Sequence, residues 1–224
     1  IKPDICFNAL HGSFGEDGII QSFLNKIEMP YTHSGANASA IAMNKLLTKN
    51  YLSQFSENTA EKIIFPKTYN FKSLHEYKKF LPIVLKPISG GSSVEINILN
   101  NENDLSHFKD KLFSNQFIIE PLVGNRELTV SVLENKPLVV TEIISKKNFF
   151  YDYNSKYTSN GSIHILPAKI PNNIYNKVIK WAKLAHKLLG CSGITRSDFR
   201  YDDSNGTIYM LEINTQPGMT KTSL

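Results

Sequence analysis

Two segments near the end of the chain are the most informative part of the sequence: residues 194–201 (ITRSDFRY) and residues 208–214 (IYMLEIN). Both alternate between polar and apolar side chains, which is typical of paired β-strands that bury one face. The turn-forming run DDSNG between them predicts that the two segments form a hairpin. With a turn centred near residue 204, this hairpin brings Asp198 close to Glu212.

Strict alternation assigns every side chain of the hairpin to a face. One face is expected to carry Ile194, Arg196, Asp198 and Arg200 from the first strand and Ile208, Met210, Glu212 and Asn214 from the second. The other face is expected to carry Thr195, Ser197, Phe199 and Tyr201 together with an apolar set formed by Tyr209, Leu211 and Ile213.

The two facing carboxylates repel each other and therefore need a positive partner. Together with Asn214, the acids Asp198 and Glu212 make an all-oxygen set, which hard cations such as magnesium prefer. The alternative is that Arg196 and Arg200 neutralise both acids in a surface network of ion pairs that needs no ligand. The hairpin alone leaves both interpretations open.

Composition excludes several classes of protein. The 224 residues are 41% hydrophobic and 20% charged, as in an ordinary folded protein, and no apolar run reaches the roughly 18 residues of a membrane helix. The net charge of +5 comes mainly from scattered lysines, with only three arginines, so a small anionic substrate is favoured over nucleic acid. Cys6 and Cys191 lack neighbouring ligand residues and are expected to be reduced, buried thiols of a cytoplasmic protein.

Upstream of the hairpin, strand-like and helix-like segments alternate, which predicts a mixed α/β (α+β) fold. The expected strands are residues 4–10, 83–86, 94–99, 116–120, 126–134 and 137–145. The expected helices are residues 19–27, 36–51, 73–80, 102–112 and 171–189.

A glycine-rich loop at residues 89–93 (SGGSS) follows the strand that ends at Lys86. Backbone amides and hydroxyls in such a loop suit phosphate oxygens, with the Lys86 ammonium within reach, although most loops of this kind are only turns. Lys45 lies on an expected helix, and its default interpretation is a solvent-facing side chain.

A short connector between Glu120 and Glu127 includes Leu122 and Val123. Such a connector can present backbone groups to an adenine and a carboxylate to its ribose. The neighbouring sequence does not by itself require this role. The aromatic loop at residues 149–157 (FFYDYNSKY) is interpreted either as a lid or as a loop anchored by its rings. His11 is interpreted first as a hydrogen-bonded structural histidine.

Several motifs occur in one order along nearly the whole chain. They are residues 11–18 (HGSFGEDG), 44–45 (NK), 84–87 (VLKP), 91–94 (GSSV), 149–157 (FFYDYNSKY), 195–198 (TRSD) and 211–220 (LEINTQPGMT). Together they resemble the D-alanine:D-alanine ligase family of the ATP-grasp superfamily.

The resemblance implies an ATP-grasp fold with a partial N-terminal βα domain. It implies an N-terminal remnant at residues 1–33, a central subdomain with the glycine-rich loop at 34–120, and a C-terminal domain with lid and metal-binding hairpin at 121–224. The implied activity is ATP-dependent joining of two D-alanines through an acyl phosphate, for peptidoglycan precursors. Two magnesium ions, with manganese as a substitute, and a homodimer are also implied.

The resemblance assigns roles by motif. Asp198, Glu212 and Asn214 match metal ligands. The nucleotide contacts match Lys45, Lys86, Ser92, Glu120, Leu122, Val123, Glu127 and Lys156. The catalytic set matches Ser92, Tyr157, Arg196 and Gly218, and the substrate contacts match His11, Arg196, Gly218, Ser223 and Leu224.

The sequence also departs from the family pattern. Family members carry an earlier glycine-rich segment with a glutamate for the first D-alanine, and they continue into a further helix, whereas this sequence has neither. Glu95 stands where the family usually has glycine. The alternatives to an active ligase are therefore a truncated remnant that binds Mg-ATP without ligating, or an ATP-grasp ligase for another amino acid.

Overall fold

The structure is a computed structural model that describes residues 3–91, 95–145 and 161–218. Its helices are α1 (Ile19–Lys26), α2 (Ala36–Met43), α3 (Lys45–Ser56), α4 (Leu74–Lys78), α5 (Glu102–His107), α6 (Lys109–Leu112) and α7 (Asn172–Leu188). Its strands are β1 (Ile83–Pro87), β2 (Asn97–Leu99), β3 (Phe117–Pro121), β4 (Arg126–Leu133), β5 (Lys136–Ser145), β6 (Ser162–Ile165), β7 (Ile194–Asp202) and β8 (Thr207–Asn214).

The larger sheet has five antiparallel strands in the order β6-β5-β4-β7-β8. Helix α7 packs on one face of this sheet because its apolar residues recur at helical spacing and bury Val178, Trp181 and Ala185 completely. The same core takes in Ala42 and Leu52 from helices α2 and α3. One face of the sheet is thus covered by helices.

The smaller sheet has three antiparallel strands in the order β2-β1-β3. Ile83 and Leu85 of β1 point into a second core with Tyr77 of α4 and Leu105 of α5. Since side chains alternate along β1, Val84 and Lys86 point the other way. That other face looks toward the larger sheet.

The predicted helix over residues 36–51 is in fact two helices, separated at Asn44. Asn44 has an extended backbone (φ −101°, ψ 107°), and its side chain accepts a hydrogen bond from the Leu47 N–H at 3.0 Å. Asn44 therefore caps α3. The interruption lets the Lys45 N–H donate to the Ile88 carbonyl at 2.8 Å, which ties the start of α3 to the segment before the glycine-rich loop.

Two other predictions differ from the structure, and one strand was not predicted. Residues 4–10 are not a buried strand, because only Cys6 pairs, with Tyr31, and Ile5 and Phe7 are exposed. The predicted helix 102–112 breaks at Phe108, and strand β6 was not predicted.

Both cysteines have free thiols that are half-buried rather than fully buried, and burial raises the pKa of Cys191 to about 11. Among the helices of the described ranges, none combines the length and apolarity that a membrane crossing requires.

Candidate nucleotide and metal site

The predicted register of the final hairpin is confirmed. Asp198 of β7 lies directly opposite Glu212 of β8, and Arg196 lies opposite Asn214. The next pair is Phe199 with Met210, so one residue of β8, Leu211, has no partner across the hairpin. This extra residue is a β-bulge.

The bulge overturns the predicted assignment of faces in β8. Ile208 and Met210 are buried with Ile213 on the core face, where strict alternation expected them beside Glu212. An extra residue in a strand shifts the alternation by one, so the side chains before Leu211 exchange faces relative to those after it. Glu212 and Asn214 consequently stay on the face that points away from the core.

The two carboxylates of the hairpin each have a cationic neighbour. The Arg196 guanidinium donates to both oxygens of Asp198, at 3.0 and 2.8 Å, and Thr129 Oγ1 donates to Asp198 Oδ1 at 2.7 Å. Lys45 Nζ lies 3.7 Å from Glu212 Oε2. Arg200 instead contacts Glu127 at 3.3 Å. The ion-pair interpretation is therefore right for Arg196 and Asp198, and Arg200 forms an ion pair with Glu127.

The donor set also fits a hard cation. Asp198, Glu212 and Asn214 share one face of the hairpin, and their side-chain oxygens are the ligand type that magnesium prefers. Within the described residues, no cluster of three or more His, Cys, Asp or Glu residues is placed to hold a metal. The candidate set combines two carboxylates with the side-chain amide of Asn214. The Asn214 side chain is fixed by the Gln216 N–H, which donates to Asn214 Oδ1 at 2.9 Å.

Lys45 is buried, contrary to its default interpretation as a solvent-facing side chain. It is 8% exposed, and its ammonium donates to the Gly90 carbonyl at 2.7 Å. Burial lowers the pKa of Lys45, and the nearby Glu212 partly opposes that shift. The side chain thus places a positive charge between the glycine-rich loop and the hairpin.

Lys86 and Glu120 meet on the inner face of the smaller sheet. Lys86 Nζ lies 2.6 Å from Glu120 Oε2, and both side chains are buried. A second lysine, Lys49, lies 2.7 Å from Glu120 Oε1 and donates to Thr68 Oγ1 at 2.6 Å. Lys49 is not among the residues predicted from the sequence, although its position four residues after Lys45 places both on one face of α3.

Two adjoining cavities collect most of the predicted site residues, and Lys45 and Glu212 line both. The first is also lined by Glu16, Gly90, Gly91, Arg196 and Asn214. The second lies between the two sheets and is also lined by Val84, Lys86, Ile96, Glu120, Leu122, Val123, Glu127, Asp198, Arg200 and Leu211. The first is thus mainly polar, and the second combines charges with an apolar wall.

The connector after β3 closes one end of the second cavity. The Leu122 N–H donates to the Pro82 carbonyl at 3.3 Å, while the Val123 carbonyl accepts from Arg200 Nε at 3.3 Å. Arg200 also donates to the Gly124 carbonyl at 3.0 Å. One arginine of the hairpin therefore fixes both the connector and Glu127.

His11 lies beside the first cavity rather than in its lining. Its ring nitrogen Nδ1 is 3.0 Å from Glu16 Oε1, and the His11 side chain is 48% exposed. The adjoining segment is tied to the hairpin by Asn8, whose side chain donates to Gln216 Oε1 at 3.1 Å and whose carbonyl accepts from the Gln216 amide. Gly218 is partly buried at the end of the described chain.

Five predicted site residues lie outside the described ranges: Ser92, Lys156, Tyr157, Ser223 and Leu224. Glu95 is described and has a positive φ of 61°, the region that favours glycine. Its carboxylate contacts Lys111 at 3.1 Å on the surface. The Glu95 side chain therefore points outward, toward Lys111.

Comparison with known proteins identifies the family. The family model described as "D-ala D-ala ligase C-terminus" matches residues 52–224. The D-alanine--D-alanine ligase of Bartonella henselae is 43% identical over 229 residues, covering 100% of this chain and 74% of that protein. That of Sinorhizobium fredii is 45% identical over 231 residues, with the same coverage of 100% and 74%.

Solved structures support the same family assignment. The D-alanine--D-alanine ligase from Bacillus anthracis complexed with ATP superposes with a TM-score of 0.78 at 30% identity, covering 99% of this chain and 71% of that one. The VanG D-Ala:D-Ser ligase from Enterococcus faecalis gives a TM-score of 0.79 at 30% identity, covering 100% and 67%. The fold is therefore ATP-grasp, and the chain belongs to the D-alanine–D-alanine ligase family.

Proposed function

We propose that this chain is an ATP-dependent ligase that joins two D-alanines into D-alanyl-D-alanine, a precursor of peptidoglycan. The observation that carries the proposal is the convergence of the lysines, the acids and Arg196 around two adjoining cavities. Relatives named D-alanine--D-alanine ligase and an ATP-complexed structure among the neighbours support both substrates.

The proposed reaction has two steps. A carboxylate oxygen of the first D-alanine attacks the γ-phosphorus of ATP, and ADP leaves. The amine of the second D-alanine then attacks the acyl carbon of the resulting acyl phosphate, inorganic phosphate leaves and the amine loses a proton. Both steps build negative charge on oxygens, so fixed cations and N–H donors are the groups that accelerate them.

The residues of this chain supply those groups. We assign Lys45, Lys86 and Lys156 to the phosphates, and Leu122, Val123, Glu120 and Glu127 to the adenosine. Arg196 and the Gly218 N–H are assigned to the oxyanion of the second step, Ser92 with Tyr157 to closing the site, and His11, Ser223 and Leu224 to the amino acids. Excluding water from the site protects the acyl phosphate from hydrolysis.

Asp198, Glu212 and Asn214 would hold magnesium, with manganese as a substitute. The cation supplies positive charge to the phosphates when bound. The all-oxygen donor set on one face of the hairpin, lining the same cavities as Lys45, supports a hard cation at this place, and we propose two ions.

We also propose the division into residues 1–33, 34–120 and 121–224, a cytoplasmic location where ATP is available, and a homodimer. An apolar row supports the dimer: Ile19 and Phe23 of α1 and Ile27, the residue that follows the helix, are each at least 45% exposed. Light scattering during gel filtration tests it, with Phe23→Ser expected to shift a dimer toward monomers.

The experiment that tests the function measures ADP release and dipeptide formation by the purified chain with Mg-ATP. D-Alanine is compared with L-alanine, D-serine and D-lactate, because the VanG neighbour is a D-Ala:D-Ser ligase. D-Alanine-dependent product supports the proposal. Mg-ATP binding without turnover would favour the alternative of a non-ligating remnant, and product with another amino acid would favour a different ATP-grasp ligase.

A further inference from the structure

The carboxylate of Glu120 is shared between two lysines. Lys49 Nζ lies 2.7 Å from its Oε1 atom, and Lys86 Nζ lies 2.6 Å from its Oε2 atom. Glu120 is 4% exposed, so its charge is largely removed from water. Each oxygen of one buried acid therefore has its own ammonium partner.

The two lysines differ in what else they contact. Lys86, like Lys45 and Glu120, lines the cavity between the two sheets. Among the residues described along that cavity Lys49 is absent, and its ammonium is held on the other side by Thr68 Oγ1 at 2.6 Å. Lys86 thus faces the cavity, whereas Lys49 is anchored to Thr68 and Glu120 outside the described lining of that cavity.

A phosphate in this cavity competes with Glu120 for Lys86. If Glu120 had Lys86 as its only partner, moving that ammonium to a phosphate would leave a buried carboxylate unpaired, which is strongly disfavoured. A second ammonium on the far side removes this penalty. Burial lowers the pKa of Lys49, and the neighbouring Glu120 carboxylate opposes that shift by favouring the charged ammonium.

We propose that Lys49 is a positioning residue: it serves as the permanent counter-ion of Glu120 and so frees Lys86 to bind a phosphate group of the nucleotide. This inference rests on the proposed function, since it takes the cavity ligand to be Mg-ATP. Lys49 acts through Glu120 and Lys86 and does not touch the nucleotide.

The test is a set of variants of the full chain: Lys49→Met, Lys49→Arg, Glu120→Gln and the double variant Lys49→Met/Glu120→Gln. Calorimetry with Mg-ATP and with its β,γ-imido analogue gives the affinity, and steady-state rates give KM and kcat separately. Lys62→Met is the matched control, because Lys62 is an exposed lysine paired with Glu57.

Lys49→Met is expected to weaken Mg-ATP binding by about tenfold, as loss of one charged contact does, with a smaller change in kcat and in KM for D-alanine. Lys49→Arg is expected to bind like the wild type. In the Glu120→Gln background, removing Lys49 is expected to have little further effect, because no carboxylate then competes for Lys86. A merely structural ion pair would lower thermal stability without this rescue.

Unchanged Mg-ATP affinity in Lys49→Met, or an equal loss with and without Glu120, would overturn the inference. If Lys49→Met does not fold, the double variant Lys49→Gln/Glu120→Gln replaces it. A tenfold loss of Mg-ATP affinity in that double variant relative to Glu120→Gln would also contradict the inference. Failure of the wild type itself to bind Mg-ATP would instead reject the proposed function.

Discussion

The two faces of the hairpin formed by β7 and β8 differ in chemistry although the same two strands build both. On the core face, Phe199, Met210 and Ile213 are at most 2% exposed and pack against α7 and its neighbours. On the opposite face, Asp198 and Glu212 lie side by side and line the cavities. The first face belongs to the core, and the second carries the proposed nucleotide and metal site.

The bulge at Leu211 makes this division possible. Met210 and Leu211 are consecutive and apolar, yet Met210 is 0% exposed in the core while Leu211 lines the cavity between the sheets. Strict alternation would have exchanged their positions. The comparison teaches that one extra residue lets two consecutive side chains, Leu211 and Glu212, face the cavity while Met210 and Ile213 on either side stay in the core.

The largest expected effect is on the site face. Glu212→Ala removes a proposed metal ligand and the partner of Lys45, so turnover should fall by at least about a hundredfold. The thermal midpoint should change little, because Glu212 is partly exposed. Glu57→Ala, which removes an acid 63% exposed at the surface, is the control and should leave turnover intact. Equal turnover in both variants would show that the site face is not catalytic.

The next effect is on the core face. Met210→Ala leaves a cavity beneath the helices and should cost about 2–5 kcal/mol of unfolding free energy. KM for Mg-ATP should stay near the wild-type value. Urea unfolding and steady-state kinetics measure the two quantities, with Leu133→Ala, a 44% exposed apolar residue of β4, as the control. A stability change as small as that of the control would place Met210 outside the core.

Leu211→Ala should affect nucleotide binding more than stability. Losing part of the apolar cavity wall should raise KM for ATP by about three- to tenfold, from the roughly 1 kcal/mol that a partly buried apolar side chain contributes. Unfolding free energy should change by less than in Met210→Ala. Met210→Ala and Leu211→Ala together distinguish the bulged strand from a regular one. In a regular strand Leu211 would lie in the core and Met210 at the cavity, so Leu211→Ala would lower stability and Met210→Ala would raise KM.

The smallest effect concerns the core face and pH. His186 of α7 is fully buried against Thr195 of β7, with its Nδ1 atom 2.9 Å from Thr195 Oγ1, and burial lowers its pKa below the ordinary 6.5. Below that pH the unfolded chain takes up the proton more readily than the folded chain. Stability should therefore fall as pH drops below about 6.5, by at most about 1.4 kcal/mol per pH unit for this group.

Urea unfolding at pH 7.5 and 5.5 measures this dependence. Burial also lowers the pKa values of His33 and His164, so these two residues also contribute to the pH dependence of wild-type stability. His186→Gln should flatten the dependence, whereas His107→Gln, at an exposed position, should not. Identical slopes in both variants would contradict a neutral buried His186.

The sequence predicted the hairpin register because the polar turn and the alternating strands both limit where the chain reverses. It did not predict the bulge, because period-two alternation carries no signal for one extra residue. The break at Asn44 had a signal, since asparagine is a favoured helix cap. Lys49 was not predicted as a site residue because Glu120 and Thr68 are far from it in sequence and contact it only in the folded chain.

Residues 4–10 were misjudged for a related reason. An apolar run predicts burial only if a partner strand covers it, and the described structure gives Cys6 one bridge, to Tyr31. The local sequence pattern therefore predicts a strand well when its partner is close in sequence. It predicts a segment less well when distant parts of the chain form its surroundings.

The most direct test of the central claim is calorimetric binding of ATP to the chain with and without magnesium, compared with Glu212→Ala. We expect magnesium to strengthen ATP binding in the wild type, and we expect Glu212→Ala to lose that magnesium dependence. ATP binding that is indifferent to magnesium, or a variant that responds to magnesium as the wild type does, would contradict the claim that this face of the hairpin is the metal and nucleotide site.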